Sequence, residues 1–142
     1  MAGMNSTFAN NILLLVLNAT TFANVAINAT SSPITNTYAS LHTADPGNGD
    51  QSASETTYTS YARQAIARSA GGWTVTSNAA SPVANIVFPV STGGTPAITH
   101  LGIGKTNTGA TDLWLSGTIT PNITVSTSVT QIVANSSTIT LT

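Results

Sequence analysis

The sequence predicts an all-β fold, a sandwich or barrel of short strands preceded by a short N-terminal helix or arm. Three observations predict it. From Pro33 onward, apolar residues alternate in short runs separated by Gly, Pro, Asn and Ser clusters, the pattern of strands that bury one face. Threonine recurs throughout, and its β-branched side chain suits a pleated surface. Only before Pro33 does an apolar run with helical spacing occur. The chain therefore divides into residues 1–32, an apolar helix or arm, and residues 33–142, the β body.

In the first segment Phe8, Ile12, Leu15 and Val16 fall along one helical face over residues 6–17, with Asn5 or Ser6 as N-cap. Leu13, Leu14 and Leu17 make the other faces apolar too, so this helix is expected to be covered, in its own domain or by another subunit. A short buried strand fits the same run, because periodicity alone does not separate the two over so few residues. Thr7-Phe-Ala-Asn10 recurs as Thr21-Phe-Ala-Asn24, which adds Phe22 to the candidate contact residues. A cleaved leader is not expected. No Lys or Arg precedes the run Ile12–Leu17, which is too short for a leader core or for the ~20 residues that span a bilayer.

The β body offers the runs Thr37–Thr43, Thr57–Arg68, Gly72–Ser77, Ala84–Val90, Ala97–Lys105, Asp112–Thr120, Ile123–Thr127, Val129–Ala134 and Thr138–Thr142 as strands. Alternation nominates Trp73, Phe88, Leu101, Ile103 and Leu115 for the core. Trp114 opposes Leu113 and Leu115, and is either an aromatic left for a neighbour or one covered within a single sandwich. Asp45-Pro46-Gly47, Gly71-Gly72, Gly93-Gly94 and Asn107-Thr-Gly109 supply the turns. The polar stretch Asn48–Thr56 reads as a mobile loop whose acidic residues hang over open space or a partner.

Charge bounds the function. Only 5% of residues are charged, against ~25% in ordinary soluble domains, and the net charge is −1. No basic footprint exists for nucleic acid, and little charge keeps copies apart, so association with neighbours is expected. With no cysteine, neither disulfides nor thiolate metal sites are available.

Five of the seven charged side chains, Asp45, Asp50, Glu55, Arg63 and Arg68, lie between Thr37 and Arg68. His42 and Asp45 lack the third convergent group that a triad or metal site needs, so Asp45 reads as a turn cap and His42 as a residue packed on a strand. Arg63, beside Tyr61, is the inward arginine, paired with Asp45 or Glu55. His42, Asp45, Tyr61 and Arg63 thus make a structural corner. His100 lies on an apolar strand face, where a ring hydrogen bond is expected to satisfy it. Gly102 and Gly104 lack the following Gly and helix of a phosphate loop, and instead permit a bulge or a close neighbour. Neither catalysis nor a cofactor is expected from this inventory.

Leu41-His-Thr-Ala-Asp-Pro-Gly47, Tyr61-Ala-Arg63 followed by Ala67-Arg68, Trp73, Asn85-Ile-Val-Phe-Pro89, Thr99-His-Leu-Gly-Ile-Gly104 and Leu115-Ser-Gly117 occur in an order with a known counterpart. Over residues 37–142 it resembles a family of small bacteriophage virion proteins, of the head decoration (cement) or tail-fibre-like kind. The resemblance implies a jelly-roll-like β-sandwich that dimerises or trimerises on the outer capsid surface of the virion, bridges major capsid protein subunits and stabilises the head. On that reading Phe8, Ile12, Leu15, Val16, Phe22 and Trp114 meet the capsid or another subunit. The alternative is a tail-fibre or receptor-binding module, with an exposed Trp114 or Tyr58 as a sugar platform. Neither reading implies a catalytic residue, a cofactor, a metal, a nucleic-acid partner or a membrane.

Overall fold

A computed structural model describes residues 6–22, 32–47, 50–110 and 113–141. Helix α1 (Ser6–Asn18) is followed by strands β1 (Asn36–His42), β2 (Gln64–Ala67), β3 (Trp73–Thr76), β4 (Ala79–Pro82), β5 (Ile86–Phe88), β6 (Ala97–Gly104), β7 (Leu113–Thr124), β8 (Gln131–Val133) and β9 (Ile139–Thr140). This is the all-β class the alternation predicts, built from antiparallel sheets with one short N-terminal helix. Two compact units interleave along the chain. One comprises residues 1–36, 66–85 and 134–142, the other residues 37–65 and 86–133. No helix among the described residues is long and apolar enough to cross a membrane.

In the first unit α1 buries Ala9, Leu13 and Leu17, an i, i+4, i+8 stripe. The expected face of Phe8, Ile12, Leu15 and Val16 is not the buried one: Phe8 is exposed and the other three are half-buried. A helix apolar all round still seats only one stripe, and here the stripe carrying the small Ala9 is seated. Phe8 meets Phe22 edge to face, with ring centroids 5.6 Å apart. Of the two N-cap candidates, Ser6 is already helical and Asn5 lies outside the described residues.

The helix ends where Ala19 takes a positive φ of 55°, and the Thr20 N–H donates to the Leu14 carbonyl at 3.0 Å. Trp73, buried at the start of β3, and Ala80 complete this unit's core. β3 and β4 form a hairpin through Ser77-Asn78, with Ser77 at φ 58°. Strand β4, Ala-Ala-Ser-Pro, escapes sequence reading because it holds neither a β-branched nor an aromatic residue. Cross-strand pairs with β3 and β9 impose its conformation.

The four-stranded sheet has the order β2-β1-β6-β7. β1 is flanked on both sides and buried on both faces: Thr37, Ala39 and Leu41 on one, Ser40 and His42 on the other. Of the run Thr57–Arg68 only Gln64–Ala67 is strand, because Ser60 at φ 80° turns the chain. Asp112–Thr120 and Ile123–Thr127, read as two strands, join as the single edge strand β7. Pro121-Asn122 looks like a turn, yet the register jumps from His100↔Thr118 to Ile98↔Ile123, so the proline is absorbed in a bulge. A second shift, between Ile103↔Leu115 and Gly104↔Leu113, leaves Trp114 as the extra residue. Strict alternation of Trp114 against its neighbours is thereby lost, and Leu113, Trp114 and Leu115 are all half-buried. Of the core nominees Trp73, Phe88 and Ile103 are fully buried, while Leu101 and Leu115 are only partly so.

Candidate functional site

The charged corner lies where β1 meets residues 50–63. Arg63 places all five of its N–H donors. Its Nε and one terminal nitrogen grip the Glu55 carboxylate at 2.7 Å each, in the bidentate geometry that makes such pairs strong. The remaining donors reach the Gly109 carbonyl at 2.9 Å, the Thr106 carbonyl at 3.1 Å and Gln51 Oε1 at 3.2 Å. The pair is sequestered, with 3% of the Arg63 side chain and 14% of the Glu55 side chain exposed. Glu55 thus holds Arg63 above its usual pKa against the opposing effect of burial.

The network continues to β1. The Tyr61 hydroxyl donates to Glu55 Oε1 at 2.8 Å and accepts the Leu41 N–H at 3.0 Å. Burial raises the pKa of this phenol, and adjacent Glu55 pushes the same way. Tyr61 stacks on Phe88, and Tyr58 meets Tyr61 edge-on. The Gln51 amide nitrogen donates to the Tyr38 carbonyl at 2.7 Å and to Ser40 Oγ at 3.2 Å.

His42 closes the chain. Its Nδ1 lies 2.8 Å from the Ala53 carbonyl and therefore carries the proton; Nε2 then accepts from Ser40 Oγ at 2.9 Å. Burial lowers the pKa of His42, with the Ala53 hydrogen bond and Glu55 opposing, so the ring is neutral at pH 7. Opposite Ser40 on β6, Gly102 leaves no room for a side chain: a Cβ there would lie 2.5 Å from His42 Nε2 and 2.7 Å from Ser40 Oγ. The close-neighbour reading of Gly102 is thus correct, and a register shift at Gly104 supplies the bulge.

Of the four residues read as the corner, His42, Tyr61 and Arg63 share this network, while Asp45 does not. Asp45 accepts the Gly47 N–H at 2.8 Å, a turn cap as expected. Arg63 takes Glu55 as its partner rather than Asp45. The loop expectation changes for residues 50–56. Thr43 and Thr56 N–H groups bond to Ser54 and Leu41 carbonyls, Gln51 and Thr56 are buried, and Glu55 turns inward. Of the loop's two acidic residues only Asp50 faces solvent, its carboxyl held below the usual range by hydrogen bonds from Ser52. Asn48 and Gly49 lie outside the described residues.

Sequence reading missed Gln51, whose polar, turn-rich surroundings carry no burial signal. Ser40 was legible in principle, since it shares a strand face with His42. His100 is half-buried, with Thr99 Oγ1 2.8 Å from its Nδ1.

Chemically the corner is closed. A serine hydroxyl 2.9 Å from an imidazole nitrogen has the spacing of an activated nucleophile, but Ser40 is fully buried and already accepts the Gln51 amide. Among the described residues no group of three or more His, Cys, Asp or Glu converges to hold a metal. Tyr58 is buried with its hydroxyl on the Pro89 carbonyl, so it offers no sugar platform. The arrangement cross-links a loop, a strand and a turn, which is work of stability.

A family model described as podophage GP4 fiber I protein gp80 matches residues 3–140, and the chain belongs to that family. No curated protein matches the chain. The expected phage virion relationship therefore holds in its fibre form, and the match does not extend to head decoration.

Proposed function

We propose, from the premise of membership in a podophage fibre family, that this chain is a structural component of a phage fibre rather than a cement protein of the outer capsid surface. The observation that carries this reading is the span of the match, residues 3–140, which takes in α1, all nine described strands and the whole charged corner. The motifs that suggested a decoration protein are short, whereas the match over residues 3–140 favours the fibre. A closed polar network and a surface nearly free of charge suit a part that carries load and contacts other protein. Its expected partners are copies of itself, as a dimer or trimer, and neighbouring virion proteins. The major capsid protein is the partner only on the decoration reading.

Copy number and position test the proposal. Quantitative mass spectrometry of purified particles should find this chain far below the major capsid protein, and gold-labelled antibody should decorate the fibres. A copy number on the scale of the capsid lattice, with label spread over the head, would return the assignment to decoration.

A further inference from the structure

A nucleophile sealed inside a protein can attack only what is sealed in with it. Ser40, His42 and Gln51 are all fully buried, and the Ser40 hydroxyl meets both of the others. On one side it donates to His42 Nε2 at 2.9 Å, and the Ala53 carbonyl on Nδ1 keeps the lone pair of the ring at Nε2. Burial lowers the pKa of His42, so the ring is in the form that accepts a proton. On the other side Ser40 Oγ lies 3.2 Å from Gln51 Nε2, the atom bonded directly to the carboxamide carbon Cδ.

The Gln51 carboxamide is in turn held as an electrophile. Its Nε2 donates to the Tyr38 carbonyl at 2.7 Å and its Oε1 accepts from Arg63 Nη1 at 3.2 Å, so different partners fix the two ends of the amide. A guanidinium N–H on the oxygen draws electrons from Cδ and stands where negative charge develops under attack. Gly102, opposite Ser40, leaves base and nucleophile the room to meet.

We infer that Ser40 and Gln51 react with each other, and that the folded chain carries an ester bond between their side chains. A side-chain rotation brings Ser40 Oγ from the nitrogen to the adjoining Cδ. The hydroxyl proton passes to His42 Nε2, and an Oγ lone pair forms the new C–O bond. The carbonyl pair moves onto Oε1, against Arg63. When that pair returns, the Cδ–Nε2 bond breaks, His42 gives the proton to the departing nitrogen, and ammonia leaves. Hydroxyl and carboxamide become ester and ammonia, with no redox change and no co-reactant. Burial excludes the water that would hydrolyse the product. The bond ties β1 covalently to the segment that carries Glu55, and it goes beyond the fibre reading, since it holds or fails wherever the chain sits in the virion.

Digestion of the purified full chain is the test. Cleavage before Asp45 and Asp50 leaves Ser40 in residues 1–44 and Gln51 in a fragment that begins at residue 50. Mass spectrometry should find the two fragments joined and about 17 Da lighter than their sum, the mass of one ammonia, until hydroxylamine or mild alkali parts them. Asn48-Gly49 can also lose ammonia by closing on its own backbone, but that loss stays within residues 45–49 and joins nothing. Ser40→Ala, with its fold checked by circular dichroism, gives separate fragments of unaltered mass. His42→Gln links about 100-fold more slowly in freshly expressed chain. Wild-type fragments that separate at full mass overturn the inference, as does a joint that survives in Ser40→Ala. Linkage of His42→Gln at the wild-type rate overturns the role given to the imidazole.

Discussion

Arg63 and Arg68 stand close in sequence, yet each ties together a different compact unit by different chemistry. Arg63 is set against a buried carboxylate and three further acceptors, so its charge is matched within the fold. Arg68 is the single charged side chain in the sequence of its unit, and it donates to the carbonyls of Leu15, Val16 and Ile34. Leu15 and Val16 belong to the last turn of α1, where carbonyls lack helical partners and the helix dipole favours a cation. Beside it, the Asn18 amide donates to the carbonyls of Ser69 and Trp73 at 3.2 Å each. Their pKa directions differ accordingly: Glu55 raises Arg63, and burial lowers Arg68. In a chain with so few charges, an arginine serves as a multi-donor cross-link. What its loss costs depends on whether it strands a charge or a set of neutral carbonyls.

Arg63→Ala carries the largest expected effect. It leaves Glu55 buried without its guanidinium, a loss of about 3–5 kcal/mol in urea or thermal unfolding. Arg63→Lys recovers little, because an ammonium cannot reproduce the fork. A change below about 1 kcal/mol would place the pair among exposed salt bridges and dissolve the corner as a structural unit. Arg68→Ala is expected to cost less, about 1–2 kcal/mol, because it removes hydrogen bonds and a dipole partner without stranding an anion. The helical signal at 222 nm should fall with it. A loss equal to that of Arg63→Ala would erase the distinction between the two corners.

The distinction was half legible in the sequence. Arg63 as an inward residue with Glu55 as a possible partner followed from the scarcity of charge, and the turn at Asp45-Pro46-Gly47 followed from residue type. Arg68 as a helix cap did not, because its acceptors at Leu15 and Val16 are backbone atoms far away in sequence, and a carbonyl leaves no residue-type signature. The same limit hid Thr106 and Gly109 as acceptors for Arg63. Residues 6–17 read as a helix with a short buried strand left open, and a helix apolar on every side does not declare which stripe is buried. Strands β4 and β7 failed for opposite reasons: Ala-Ala-Ser-Pro looks unlike a strand, and Pro121-Asn122 looks like the end of one. In both, pairing with a neighbour overrode local preference.

Acid should separate the two corners with the smallest effect, the uptake of one proton. His42 has its folded pKa lowered from 6.5 by burial, and it faces Ser40, Ala53, Glu55, Arg63 and, across the ladder, His100. Between the folded value and 6.5 the unfolded chain binds more protons, so stability is full above that pH and falls as pH drops through it. Asp50, lowered from 3.8, acts only in a more acidic range, so the window just below 6.5 belongs to histidine. The first unit contains no histidine and no carboxylate side chain in its sequence. Hydrogen exchange between pH 7.5 and pH 5 should therefore rise in residues 50–56, which hang on the Ala53 bond to His42, and stay constant in α1 once intrinsic rates are corrected. His42→Gln, which cannot titrate, should flatten the dependence. Equal acceleration in α1 and residues 50–56 would show that the two corners open together, and that neither arginine guards its own unit alone.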